Sequence, residues 1–297
     1  MSQQGSSARR NRPAGENAGV GRAGKLFATS DLHVAHPDNR GLVARLPGGH
    51  AEDWLLVAGD VAERVQDVEW ALGELRSRFG TVVWTPGNHE LWTTPRGDPH
   101  GLRGEARYQR LVEVCRRLGV VTPEDPYPTW DGPGGPLVVV PLFLLYDYSF
   151  RPAGSTADEA LARAWKAGVV CTDEFVLHPD PYPSRDAWCR ARVAATLPRL
   201  AEIPAGQRTV LVSHWPLHPA PTAVLRLPEF SIWCGTTLTA DWHVRFRAAL
   251  VVYGHLHIPR TTRYDGVRFE EVSLGYPREW QRRAAPPPVL RQVLPDA

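Results

Sequence analysis

Five short polar clusters, each just after an apolar run, constrain this chain more than any other feature. In order they are Asp31-Leu-His33, Gly59-Asp60, Gly87-Asn88-His89-Glu90, Ser213-His214 and Gly254-His255-Leu-His257. The preceding runs, 26–29, 54–58, 81–85, 209–212 and 250–253, are short and apolar and read as buried strands. Between the second and third, 65–79 places Val65, Val68, Trp70, Leu72, Leu75 and Phe79 at mostly helical spacing. Strand, helix and strand in alternation is the pattern of an α/β protein. In open α/β sheets, ligands sit beyond the carboxyl ends of the strands, so five such ends can converge on one place.

The clusters carry unequal weight. An Asp-x-His triplet or a Gly-Asp pair arises readily by chance in this composition. Gly-Asn-His is expected only about 0.01 times and Gly-His-x-His about 0.04 times. Imidazole nitrogen with carboxylate and amide oxygen suits manganese, iron, zinc or nickel, not a thiolate-loving ion. The four cysteines (Cys115, Cys171, Cys189, Cys234) are scattered, too few for a disulfide scaffold, and read as reduced thiols of a cytosolic protein.

The rest of the chain fits one ordered domain over 25–283. Helical spacing recurs at 108–118 and 185–200; 137–145 reads as a buried strand. Strands 261–264 and 267–272 should form a hairpin around Asp265-Gly266, a good turn pair. Residues 1–24 are polar and lack apolar periodicity, so a disordered tail is expected there, and a Pro-rich tail is expected over 284–297. The tail contains a false dinucleotide or P-loop match at 19–25, which lacks the strand before it and the helix after it. Arg9-Arg10 is followed by no apolar export core, and no apolar run approaches the length of a membrane span. A cytoplasmic location with no membrane partner is the expectation. Two segments, 147–185 and 225–242, are rich in aromatics and are candidate caps over the strand ends, where insertions commonly carry specificity.

The ordered clusters resemble the calcineurin-like metallophosphoesterase superfamily, whose pattern is Asp-x-His, Gly-Asp, Gly-Asn-His-Asp/Glu, His and Gly-His-x-His. All five blocks are present, from residue 31 to 257. The resemblance implies a four-layer αββα sandwich with a dinuclear metal site at the strand ends. It implies that Asp31, His33, Asp60 and His257 hold one metal and that Asp60, Asn88, His214 and His255 hold the other, with Asp60 bridging. His89 would contact the phosphoryl group or the leaving oxygen. The implied cofactors are two divalent or trivalent ions among Mn, Fe, Zn and Ni, with manganese and iron favoured. A metal-bridging hydroxide would then attack phosphorus in line, the chemistry that paired ions support.

Departures from the pattern narrow the class. Ser/Thr phosphoprotein phosphatases carry Gly-Asp-x-x-Asp-Arg-Gly where this chain has Gly59-Asp60-Val-Ala-Glu63-Arg64-Val65. Purple acid phosphatases need a tyrosine ligand near the second block, and none stands beside Asp60. The segments Val170-Cys-Thr-Asp-Glu-Phe175, Pro179-Asp-Pro-Tyr-Pro183 and Glu229-Phe-Ser-Ile-Trp-Cys-Gly235 are similar to an actinobacterial branch that includes phosphopantetheinyl hydrolases. That similarity implies a phosphodiesterase that removes 4′-phosphopantetheine from holo carrier proteins. The alternatives are a small-molecule phosphomonoesterase or cyclic-nucleotide-type phosphodiesterase, and a metal-binding scaffold without catalysis.

Charge bears on the partner. Of 34 basic residues only Lys25 and Lys166 are lysine, so arginine dominates, as codon bias in a GC-rich genome would produce. An arginine-rich rim would also suit an acidic acyl or peptidyl carrier protein. The net charge of +2, with no basic stripe interleaved with aromatics, argues against nucleic acid. His36, Arg40 and His218 lie within a few residues of ligand positions and are candidates to line the mouth.

Overall fold

In the computed structural model, residues 24–94, 101–281 and 287–295 are described. Their strands are β1 (Leu26–Thr29), β2 (His50–Val57), β3 (Phe79–Trp84), β4 (Thr129–Trp130), β5 (Leu137–Leu142), β6 (Arg208–Ser213), β7 (Ala248–Tyr253), β8 (Arg260–Tyr264), β9 (Val267–Glu271) and β10 (Arg291–Leu294). One sheet runs β10-β1-β2-β3 and the other β4-β5-β6-β7-β9-β8. Both centres are parallel: β1 with β2, β2 with β3, β5 with β6, β6 with β7 and β7 with β9.

Strand periodicity explains how the sheets stack. Successive side chains point to opposite faces, so Leu56, Val139, Val210, Val212 and Val252 fill the core between the sheets. Their neighbours Leu55, Val57, Val138, Val140 and Val251 join the outer core, where helices cover them. Helix Val65–Arg76 packs against β3 and against helix Gly104–Leu118 on one side. On the other side, Trp188 of helix Arg185–Ala201 meets the Phe143 ring at 5.3 Å. The result is the expected αββα sandwich, and residues buried on both faces account for the continuous apolar runs of the central strands.

The hairpin forms as expected, with β8 and β9 antiparallel and positive φ at both Asp265 (49°) and Gly266 (78°), as a two-residue turn requires. Three expectations are corrected. The helix expected over 65–79 ends at Arg76 and β3 already begins at Phe79, because Phe79 faces the core from a strand. Strand β2 starts at His50, four residues early, through a half-exposed polar stretch with no apolar run to mark it. Regular structure does not end at the triple proline: Arg291–Leu294 returns as β10 and pairs antiparallel with β1, burying Val293 in the inter-sheet core. At the opposite edge of that sheet, Val121 accepts from the Trp84 N–H (2.8 Å) and donates to the Val82 carbonyl (2.9 Å). Of the tail expected over 1–24, residues 1–23 lie outside the described residues, as do 284–286 and 296–297 of the C-terminal tail.

The segment 147–185 contains no strand. It holds helices Ala157–Lys166 and Asp173–Val176, the first opened by a capping box in which Thr156 Oγ1 accepts from the Glu159 N–H. Residues 219–240 form three short 3₁₀ turns, Ala220–Val224, Pro228–Trp233 and Thr237–Thr239. Glu174 ties the two segments together. It accepts from Tyr148 OH (2.9 Å) and Trp233 Nε1 (2.8 Å) and pairs with Arg185.

Candidate metal centre

Each polar cluster sits where its strand ends, and the backbone there is bent sharply. Asp31, His33, Asp60, His255 and His257 all have positive φ, between 42° and 70°. This is costly for side-chain-bearing residues and concentrates at functional sites. Gly59, at φ 84°, has no such cost, and a Cβ there would strike the Gly87 backbone at 2.5 Å. Glu90 braces the two middle loops by accepting from the N–H groups of Asp60 (2.9 Å), Val61 (2.9 Å) and Gly87 (3.0 Å).

The loops bring all seven expected ligand residues into one buried group. Asp31 Oδ1 lies 2.9 Å from His257 Nε2 and 3.9 Å from His33 Nε2. Asp60 Oδ2 lies 3.4 Å from His214 Nε2. His214 Nε2 in turn lies 3.1 Å from both Asn88 Oδ1 and His255 Nδ1. Ligand atoms of Asp31, His33 and His257, and separately of Asp31, Asp60 and His214, lie within 4.8 Å of one another.

Neighbours decide which atoms face inward. His214 Nδ1 donates to the Ala58 carbonyl (2.8 Å), leaving a lone pair on Nε2. Asn88 Nδ2 donates to Asp173 Oδ1 (3.0 Å), which turns its oxygen toward that same nitrogen. Two acceptors therefore face each other at 3.1 Å. His33 Nε2 and His257 Nε2 meet at 3.3 Å, and His257 Nδ1 is committed to Glu279 (2.8 Å). The facing lone pairs of His214 Nε2 and Asn88 Oδ1 need a cation between them. His33 Nδ1 and His255 Nε2 are buried with no protein partner. The donor set thus fits metal ions of the nitrogen-and-oxygen class, and orienting partners such as Asp173 and Glu279 are the usual complement of metal ligands.

Electrostatics agree. Burial and neighbouring imidazoles hold His33 and His255 well below the usual histidine range, and burial takes His214 down to about 4, so all three are neutral. Burial opposes a charge on His257, but Asp31 and Glu279 outweigh it and push the ring up to about 10. Burial, then the charges of Glu90 and Asp31, push Asp60 well up, whereas the attraction of His257 overcomes burial and keeps Asp31 well down. Two carboxylates driven apart in this way are under stress that cations relieve.

His89 stands beside this group. Its Nδ1 lies 2.8 Å from Glu63 Oε1 and its Nε2 3.2 Å from Tyr276 OH. Trp92 packs on its ring with centroids 3.7 Å apart. Ligand atoms of His33, Glu63 and His89 also lie within 4.8 Å of one another. The 2.8 Å contact is a hydrogen bond in length, so Glu63 is read as the group that orients His89. Glu63 fills the place of the aspartate in the phosphoprotein-phosphatase pattern. Burial of its carboxyl is outweighed by His89, which keeps it ionised.

The three outer candidates go elsewhere. Arg40 is held by Asp67 (3.0 Å) and lies over the Trp70 ring at 3.6 Å. His218 stacks on Tyr264 and accepts from the Ala220 N–H. The His36 ring lies edge to face with Tyr276, centroids 5.6 Å apart. None of them lines the cavity above the cluster, so proximity in sequence was no guide there. Three residues that do shape the site escaped sequence reasoning. Tyr276 stacks on His33 (4.3 Å, 20°) from the loop after β9, a sixth strand end. Asp173 falls within the 170–175 segment that was noted without a role. Glu279 left no signal.

The cavity has a volume of about 570 Å³. Its floor holds Asp60, Asn88, His89, His255 and His257, and its walls include Trp92, Val170, Leu227, Phe230, Tyr276 and Arg278.

Comparison with known proteins gives a consistent result. A family model described as calcineurin-like phosphoesterase matches residues 24–259. The chain is 58% identical over 278 residues to the acyl-carrier-protein phosphodiesterase PptH of Mycobacterium tuberculosis, covering 93% of this chain and 85% of that protein. The crystal structure of phosphopantetheinyl hydrolase (PptH) from the same organism superposes with a TM-score of 0.89, covering 93% of this chain and 98% of that one.

Proposed function

The chain belongs to the calcineurin-like phosphoesterase family and is a phosphoester hydrolase, and we propose that it cleaves the phosphodiester joining a 4′-phosphopantetheine arm to the serine of a carrier protein. The observation that carries this reading is the 58% identity over 93% of the chain to an acyl-carrier-protein phosphodiesterase. The expectation of an acidic carrier, met by arginines at the rim, belongs to the same proposal. Arg226 and Arg278 line the mouth. No described helix is long and apolar enough to cross a membrane, and the reading places the enzyme in the cytoplasm with its substrate.

In this reading Asp31, His33 and His257 would hold one metal and Asn88, His214 and His255 the other, with Asp60 available to both. Manganese or iron suits these donors. When bound, paired ions supply Lewis acidity to the phosphoryl oxygens and lower the pKa of water. The chain's own residues do the rest. Glu63 fixes the ring of His89 through Nδ1, so Nε2 faces the cavity. From there His89 delivers a proton to the serine oxygen as the bond to phosphorus breaks, which an alkyl leaving group requires. Tyr276, hydrogen-bonded to the same Nε2, limits how far the ring swings. Trp92 covers its other side and excludes water.

The test is mass spectrometry of a holo acyl carrier protein incubated with the manganese-loaded enzyme. The expected result is apo carrier protein with a free serine, alongside released 4′-phosphopantetheine. An unchanged holo mass beside good turnover of small monoesters would replace this reading with a small-molecule phosphatase. Degradation of single-stranded DNA under the same conditions would point to a nuclease.

A further inference from the structure

The cavity has two unlike sides. On one, His89 packs against His33 (4.6 Å between ring centroids), with Tyr276 and Trp92 around it. On the other, the Phe230 ring lies nearly parallel to His255 (5.7 Å, 23°). With Phe230, the apolar side chains of Leu225, Leu227 and Val170 line the same cavity, accompanied by Thr172 and Arg226. Leu227 is 54% exposed and Val170 46%. Large apolar side chains left in water at a cavity wall mark a binding surface.

The strip continues past Thr172. The Phe175 N–H donates to the Thr172 carbonyl (3.0 Å), and exposed Phe175 meets exposed Trp165 edge to face at 6.3 Å. The wall is also rigid. Ser231 Oγ donates to the Phe150 carbonyl (2.9 Å), and Glu174 holds Trp233 and Tyr148. A rigid surface loses little entropy when it receives a flexible ligand.

We propose that this wall binds the pantetheine arm and that the carrier's serine leaves on the opposite side, toward His89. The proposal rests on the carrier-protein reading above and adds direction to it. In that substrate the phosphate joins two very different groups. One is a serine on a folded protein, a single side chain away from phosphorus. The other is a thin chain of methylenes, a gem-dimethyl carbon and two amides. The wall suits the second: it is largely apolar, lies in the same cavity as the floor and carries a single positive charge, Arg226. A folded carrier instead approaches by the polar rim beside His89, near Tyr276 and exposed Arg278. The chemistry then balances. Water oxygen bonds to phosphorus, the bond from phosphorus to the serine oxygen breaks, and His89 protonates that oxygen. The proton lost by the water restores His89. The phosphate stays with the arm.

Leu227→Asp and Val170→Asp, each at an exposed position, test the proposal. The substrates are a holo carrier protein, the p-nitrophenyl ester of 4′-phosphopantetheine, and bis-p-nitrophenyl phosphate. The measured quantity is selectivity, the ratio of kcat/KM for an arm-bearing substrate to that for bis-p-nitrophenyl phosphate. It should fall about tenfold for both arm-bearing substrates, as loss of one well-packed aliphatic contact predicts. An unchanged ratio overturns the proposal. So does a fall confined to the holo carrier, which would make the strip a docking face for the protein. If wild type leaves the holo carrier intact yet prefers the arm-bearing nitrophenyl ester, and Leu227→Asp erases that preference, the wall assignment stands and the carrier-protein reading fails.

Discussion

The floor of the cavity consists of polar side chains on loops that end five strands, whereas its apolar wall comes from 3₁₀ turns around 220–233 and the loop 170–172. On the floor, position is set by the backbone. Five ligand-type residues hold positive φ, Glu90 clamps three N–H groups, and the side chains are buried. On the wall, side chains make the surface and several are half in water. The floor therefore tolerates little substitution, and the wall can change its ligand without moving the chemistry. Residues that link the two regions are where this division can be broken.

Asp60 should be the most sensitive position, because the family resemblance assigns it, alone among the seven, to both metals. Asp60→Asn is expected to lower kcat/KM by at least about 10³-fold, beyond the 10–100-fold typical of residues that only orient a ligand. Metal content by elemental analysis should fall in parallel. Two ions per chain with near-normal turnover would remove Asp60 from the bridging position.

His89→Ala probes floor chemistry without touching a proposed ligand. Loss on alkyl phosphodiesters should be about 10²–10⁴-fold, with both metals kept. On p-nitrophenyl esters the loss should be clearly smaller, since that leaving group needs little protonation. Equal losses would mean that His89 binds the phosphate by charge instead.

Asp173 belongs to the cap segment yet orients a floor residue, so it tests whether the two regions are separable. Asp173→Ala frees the Asn88 amide to rotate, and metal affinity should weaken about 10–100-fold, read as the manganese concentration that half-restores binding. An unchanged affinity would show that the cap contributes nothing to the metal centre. The smallest effect is expected from Tyr276→Phe, which removes one hydrogen bond to His89. A cost of about 1 kcal/mol corresponds to a severalfold drop in kcat on alkyl esters, with KM little changed. A loss as large as that of His89→Ala would promote Tyr276 to a direct role on the substrate.

How much was legible follows the same division. Strand ends carry their chemistry in short contiguous motifs, so Asp31 through His257 could be read in order and the αββα layering implied. Asp173, Tyr276 and Glu279 act across the fold, 85, 187 and 22 residues from Asn88, His89 and His257. No local pattern encodes such a contact. Arg40 and His218 failed for the converse reason: nearness in sequence to a ligand said nothing of direction, and Asp67 and Tyr264 claimed them. Strand β10 was missed because proline marked the end of structure, yet the four residues after the break needed only a free edge to pair with.

That edge has a bearing on how the protein meets others. The sheet that carries Asp31, Asp60 and Asn88 is bordered on one side by β10 and on the other by Val121. An open row of N–H and C=O groups would invite any extended segment to join as an extra strand, the commonest accidental contact between β proteins. β10 is itself the outer strand there, but it is only four residues long and the Arg268 side chain donates to its Val293 carbonyl, so little of that margin is left to template an added strand. A protein substrate of the proposed kind would then be recognised mainly at the rim of the cavity, through shape and charge rather than backbone pairing.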